Sequence, residues 1–249
     1  MTPDPDSGSD PDSGSDPDSG SDPNPTPDPD SDPDSGSDPN PTPDSGSDPD
    51  PDLDLDNPYL DAVEEGVAVG ACRATLSDRG LELARHRRHL AEEYAWGIPN
   101  AQAVATLRDH DPILEVGAGN GYWAWLVEQA GGDVVATDPV APTWAAADDV
   151  ELYADVEPLS AVEAIDRYGH DRTLFVCWPS EGMAWPADVL AAYEGETVVY
   201  VGTGRGACNA DHGFHRRLFD GFELDETVAI PTYDTCTDRL EVWRRDRSE

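Results

Sequence analysis

The chain has 249 residues, and its 53 acidic side chains face only 15 basic ones, for a formal net charge of −38 at pH 7. Such a field argues against binding duplex nucleic acid, which needs clustered positive charge. No run approaches the ~18 apolar residues that suggest a membrane span, which excludes that class and predicts a soluble, cytoplasmic protein.

Residues 1–56 are built from repeats such as "SGSDPD" and "DPNPTPD", with Met1, Leu53 and Leu55 as their apolar members. They hold 18 of the acidic residues and no basic one. A segment of this composition cannot bury enough apolar surface to offset the entropy of ordering it. It is expected to be a disordered, hydrated tail. Residues 57–249 then form one domain, with a helical part over 57–110 and an α/β core over 111–249. The body keeps 35 acidic residues against 15 basic ones, all Arg. Self-repulsion of that size is screened at molar salt, where the Debye length falls to ~3 Å, so the expected setting is a halophile's cytosol.

Apolar spacing predicts helices over 58–71 and 77–94, a turn at "AWGIPN", and a short helix that stops before Pro112. From there strands and helices alternate. "ILEVG" reads as a buried strand and 121–131 as a helix; "DVVATD" is the second strand and "VELYAD" a shorter third. A helix through "LSAVEAIDRYG" leads to strand "RTLFVCW", a helix around "PADVLAAYEG", strand "ETVVYVG" and a helix near "DHGFHRRLFDGF". "FELDETVAI" and "DRLEVWRR" close the chain as a hairpin. This order predicts a Rossmann-like α/β fold. Its seven-stranded sheet would be mostly parallel with a terminal antiparallel hairpin strand, helices on both faces and an N-terminal helical lid.

In an open parallel sheet, ligands bind beyond the carboxyl ends of the strands, where strand order reverses. Gly117, Gly119 and Gly121 fall at that end of the first strand, and Asp138 ends the second. The spacing is G-x-G-x-G, whereas a dinucleotide turn reads G-x-G-x-x-G, and Tyr122 stands where its last Gly belongs. Glu115, two residues ahead of the first Gly, would repel a pyrophosphate and suits a ligand bearing a cationic amine and a sulfonium, as S-adenosylmethionine does. The helix N-terminus that follows favours that ligand's carboxylate. A nicotinamide or flavin site, and a turn that binds nothing, are the alternatives.

The stretch from about Tyr94 to Trp243 resembles methyltransferase-like proteins of the class I S-adenosylmethionine-dependent family. The likeness is carried by "AWGIPN", "ILEVGAGNGYWAWL", "DRTLFVCWP" and "TVVYVG". The resemblance implies S-adenosylmethionine as cofactor, with Glu115, Gly117, Gly119 and Gly121 as the methionine-side loop and Asp138 on the ribose. Asp155, after the third strand, is implied as an adenine-binding acid. Trp96, Pro99 and Asn100 would close over the cofactor, or else form a turn between helices with a core Trp.

Amino-group members of that family carry Asp or Asn, two Pro and an aromatic after the fourth strand. Here the sequence is "CWPS", so Pro179 alone matches and Trp178 replaces the polar residue. Trp178 and Pro179 are the candidates for the catalytic end, with packing as the other reading of Trp178. The expected reaction is methyl transfer to a small-molecule or protein acceptor. A non-catalytic S-adenosylmethionine-binding scaffold and a nicotinamide-dependent oxidoreductase are the rivals.

Cys208, His212 and His215 match no standard zinc spacing, so no metal is expected. The four cysteines form no C-x-x-C pair and are expected to be free thiols. "RHRRH" (85–89) is expected to spread around a solvated helix face.

Overall fold

The structure is a computed structural model that describes residues 53–64, 78–141, 152–204, 209–233 and 237–246. Most of the acidic tail therefore lies outside the described residues, as do Cys72, Cys208 and Cys236; Cys177 is a free thiol. Three helices open the described chain: α1 (Pro58–Glu64), α2 (Asp78–Glu93) and α3 (Ala101–Asp109). The remainder alternates: β1 (Ile113–Val116), α4 (Tyr122–Gln129), β2 (Val134–Thr137), β3 (Val156–Glu157) and α5 (Ala161–Tyr168). Then come β4 (Thr173–Cys177), α6 (Trp185–Ala192), β5 (Thr197–Gly202), α7 (His212–Gly221), β6 (Phe222–Ala229) and β7 (Arg239–Arg245).

The strands form one seven-stranded sheet in the order β3-β2-β1-β4-β5-β7-β6. The first five run parallel, whereas β7 pairs antiparallel with both β5 and β6. The expected α/β sheet with its closing antiparallel hairpin is what the chain forms. A register shift between Leu224 and Glu226 interrupts β6, and β3 has only two residues. The expected third strand lay too early: "VELYAD" leads into β3, which begins at Val156. Pairing with β2 through Ala136 and Thr137 selects those residues, not the apolar run before them.

Alternation along the central strands covers both faces, because successive strand side chains point to opposite sides. Ile113, Phe175, Val199 and Val201 pack with Trp123, Leu126 and Leu107 on one face. Leu114, Leu174, Val176, Val198 and Tyr200 pack with Val189, Phe214 and Leu218 on the other. Burying one such side chain contributes ~1.5–3 kcal/mol.

The N-terminal helices are tied to the core by specific polar contacts. Asn57 donates from its side-chain amide to the Pro99 carbonyl at 2.9 Å and accepts from the Tyr122 hydroxyl at 2.8 Å. The Tyr59 and Tyr233 hydroxyls share a bond of 2.7 Å. Leu53 and Leu55, the last apolar residues of the acidic segment, pack against the same core. Among the described residues no helix is long and apolar enough to cross a membrane.

Candidate functional site

Strand order reverses between β1 and β4, and a cavity of about 1220 Å3 opens where their carboxyl ends meet that of β2. Its wall is supplied by the loops that follow these three strands and by the end of α2 with the segment up to Trp96. Helical residues thus reach over the sheet edge, as a lid would.

The glycine loop is shaped by backbone conformations that only Gly adopts freely. Gly117, Gly119 and Gly121 have φ of 74°, 63° and 82°. Gly117 and Gly119 line the cavity, but Gly121 does not. A Cβ on Gly121 would come within 2.9 Å of the Val156 side chain and 3.0 Å of the Ala154 Cβ. Gly121 therefore serves close packing at the start of α4, and the other two form the cavity wall.

Asp138 follows β2 and points back at this loop. Its carboxylate accepts from the Gly119 N–H at 3.2 Å and from the Val140 N–H at 2.9 Å. Burial pushes its carboxyl above the usual range, and the two amides oppose that shift. Asn120 links the loop to the lid, donating from its side chain to the Glu93 carbonyl at 2.8 Å.

Glu115 is the outlier. It lies in β1, is 1% exposed, lines the cavity, and its Oε2 has no hydrogen-bond partner. Burial, against an opposing bond from the Ala124 backbone and reinforced by the nearby Asp138 charge, pushes its carboxyl up to about 8. A buried carboxylate oxygen without a partner costs several kcal/mol if charged, so the site prefers a proton there or a cation beside it.

No family model matches the chain, and no curated protein matches it. Among solved structures it is similar to the magnesium protoporphyrin IX methyltransferase of Synechocystis PCC 6803 with bound SAM. That match is 13% identical, covers 70% of this chain and 86% of that one, and has a TM-score of 0.40. The CcbJ methyltransferase of Streptomyces caelestis matches at 16% identity over 58% and 92% of the two chains, TM-score 0.37. The 1,6-didemethyltoxoflavin-N1-methyltransferase of Burkholderia thailandensis matches at 18% over 71% and 94%, TM-score 0.38. The sheet itself decides the fold, since its order, with β7 antiparallel between β5 and β6, follows a glycine turn on β1. It is a Rossmann-like α/β sheet closed by an antiparallel hairpin strand.

On that frame the remaining expected residues separate. Trp178 and Pro179 follow β4 and both line the cavity. Trp96 lines it too and stacks on Trp178, with ring centroids 5.3 Å apart and planes at 17°. Pro99 and Asn100 do not line it. Asn100 instead caps α3, accepting from the Ala103 N–H at 2.9 Å, and donates to the Ala229 carbonyl at 3.0 Å. Asp155 precedes β3, is exposed and does not line the cavity; Tyr153, two residues earlier, does.

His212 is exposed, whereas His215 is buried in ring contact with Tyr200, Phe214 and Phe219. The third member of that cluster, Cys208, lies outside the described residues. "RHRRH" does not form a uniformly solvated face. Arg88 and His89 face outward beside Glu92 and Glu93, but Arg87 is buried over the rings of Trp96, Trp178 and Tyr233. Three aromatic rings, two of them far along the chain, surround that guanidinium. Met183 and Trp185, which also line the cavity, were not singled out by sequence reasoning. "GMAW" carries no motif, and only the fold brings it beside Gly117.

Proposed function

We propose that the cavity binds S-adenosylmethionine and that the protein transfers its methyl group to a small-molecule or protein acceptor. The observation that carries this reading is the buried Glu115 oxygen without a partner beside the glycine loop. A cationic amine satisfies that oxygen, whereas the pyrophosphate of a dinucleotide would be repelled by it and by Asp138. Asp138 has acceptor capacity left after its two backbone bonds, which suits ribose hydroxyls. Val140 and Tyr153 give a flat base apolar contact.

S-adenosylmethionine supplies an activated methyl group, so the chain's own residues need to align and desolvate more than to exchange protons. Glu115 and Asp138 fix the two polar ends of the ligand. Trp178, Pro179 and Trp96 wall off water at the acceptor end. The acceptor's lone pair forms the new bond to carbon, the carbon–sulfur pair returns to sulfur, and an acceptor proton passes to solvent.

Calorimetric titration with S-adenosylmethionine in concentrated KCl, beside the Asp138→Ala variant, tests the reading. Micromolar binding by the native protein, weakened at least tenfold in the variant, is expected. A folded protein that ignores S-adenosylmethionine and binds NAD would overturn it.

A further inference from the structure

Three of the five large apolar side chains left exposed among the described residues, Trp96, Val140 and Met183, line this one cavity. They are 39%, 44% and 50% exposed. Apolar side chains gathered at a cavity, instead of scattered, mark a place where an apolar ligand docks.

The β4 end of that cavity is built at a cost. Trp178 has a φ of 48°, a region that bulky residues rarely adopt. A bond from its N–H to the Val201 carbonyl at 2.8 Å holds it there, and the conformation sets its indole against Trp96. Arg87 braces both rings, 4.9 Å from the centroid of Trp178 and 5.4 Å from that of Trp96, without lining the cavity itself.

Charge narrows the ligand further. The cavity wall carries Glu92, Glu93, Glu115 and Asp138 against one imidazole, His89, and no Arg among the described residues. A phosphate or carboxylate entering this cavity would meet a wall in which carboxylates outnumber the single imidazole, and the Arg87 guanidinium beside the tryptophans is already taken up by their rings. Space allows a second molecule, because single drug-sized ligands fill ~300–1,000 Å3 and this cavity holds about 1220 Å3.

We propose that the Trp96–Trp178 end of the cavity takes a flat aromatic acceptor, neutral or cationic, packed against the tryptophan pair. Calling it the acceptor rests on the methyl-transfer reading above; the aromatic site itself does not.

The test is calorimetric titration of the full chain, at one fixed KCl concentration, with three probes that share a ring and differ in charge. These are 2-naphthylmethanol, 2-naphthylmethylamine and 2-naphthoate. Each is run with and without S-adenosylhomocysteine, on the native protein and on Trp96→Leu and Trp178→Leu. Losing one stacking partner weakens binding by roughly tenfold. The neutral and cationic probes are expected to bind the native protein at least tenfold more tightly than naphthoate, and Trp96→Leu to lose that binding by a similar factor. Trp96 is partly exposed, so this variant keeps the test valid where Trp178→Leu fails to fold. Naphthoate binding as tightly as the alcohol, or Trp96→Leu binding as the native protein does, overturns the proposal. Tryptophan-dependent probe binding by a protein that ignores S-adenosylhomocysteine leaves the aromatic site standing and removes the methyl-transfer reading.

Discussion

Glu115 shows how one buried residue ties stability to pH. Its folded carboxyl titrates near 8 against an ordinary value of 4.5, so between those values the folded chain holds a proton that the unfolded chain has lost. Stability from this group is fully present below about 4.5 and is lost as pH rises through about 8. Glu115→Gln does not titrate, so the variant should gain on the native protein by an amount on the order of a few kcal/mol between pH 5 and pH 8.5. Urea midpoints at the two pH values measure it, and an unchanged gap would show that the carboxyl is not neutral in the fold. A cationic ligand seated beside it, as proposed above, would pull the same proton off. Binding of S-adenosylmethionine at pH 7 is therefore expected to release protons, which calorimetry in two buffers of different ionisation enthalpy detects. Glu115 was legible in the sequence because a carboxylate two residues ahead of a glycine turn has a limited set of uses. Arg87 was not, because nothing within "RHRRH" distinguishes it from its neighbours; Trp178 and Tyr233 lie far along the chain and decide which arginine turns inward.

At the scale of elements, the helix caps carry more than helix ends. Asn100 both caps α3 and holds the carbonyl of Ala229 at the end of β6, so one side chain joins the lid segment to the hairpin. Asn100→Ala should cost ~1–2 kcal/mol, the usual penalty for a lost N-cap with a further bond. A shift in the denaturant midpoint at unchanged slope checks this, and S-adenosylmethionine affinity should hold, since Asn100 does not line the cavity. Six of the seven strands were legible, β1, β2, β4 and β5 because each coincides with an apolar run, and β6 and β7 because they follow one another with only a loop between, as a hairpin does. Strand β3 was not, because two residues leave no period to read, and their place is set by pairing with β2 and by the bond from the Asp138 N–H to the Glu157 carbonyl. Likewise "DLDLD" reads as the end of a solvated tail by composition. Its two leucines are claimed by a core surface that composition does not reveal, and Gln129 seals the junction by accepting from the Asp56 N–H at 3.0 Å.

The whole molecule is governed by charge. With 35 acidic residues against 15 basic ones in residues 57–249, like-charge repulsion is strong, and exposed ion pairs among the described residues, such as Arg88–Glu92, offset little of it. The unfolding midpoint should therefore rise by roughly 10 °C or more between 0.1 M and 3 M KCl, as the Debye length shrinks from ~10 Å to below ~3 Å. Calorimetric melting at several KCl concentrations measures it, and a flat profile would show that the acidic surface is neutral to stability. Salt strong enough to quiet that repulsion also removes the barrier that keeps one copy of the protein from another. The two strands that end the sheet then stand guard by form alone. Strand β3 offers a newcomer two residues of backbone, and the break in register between Leu224 and Glu226 denies β6 a straight edge. Brine cannot screen a bulge, so the molecule carries a defence against strand-to-strand association that holds where its charges fall silent.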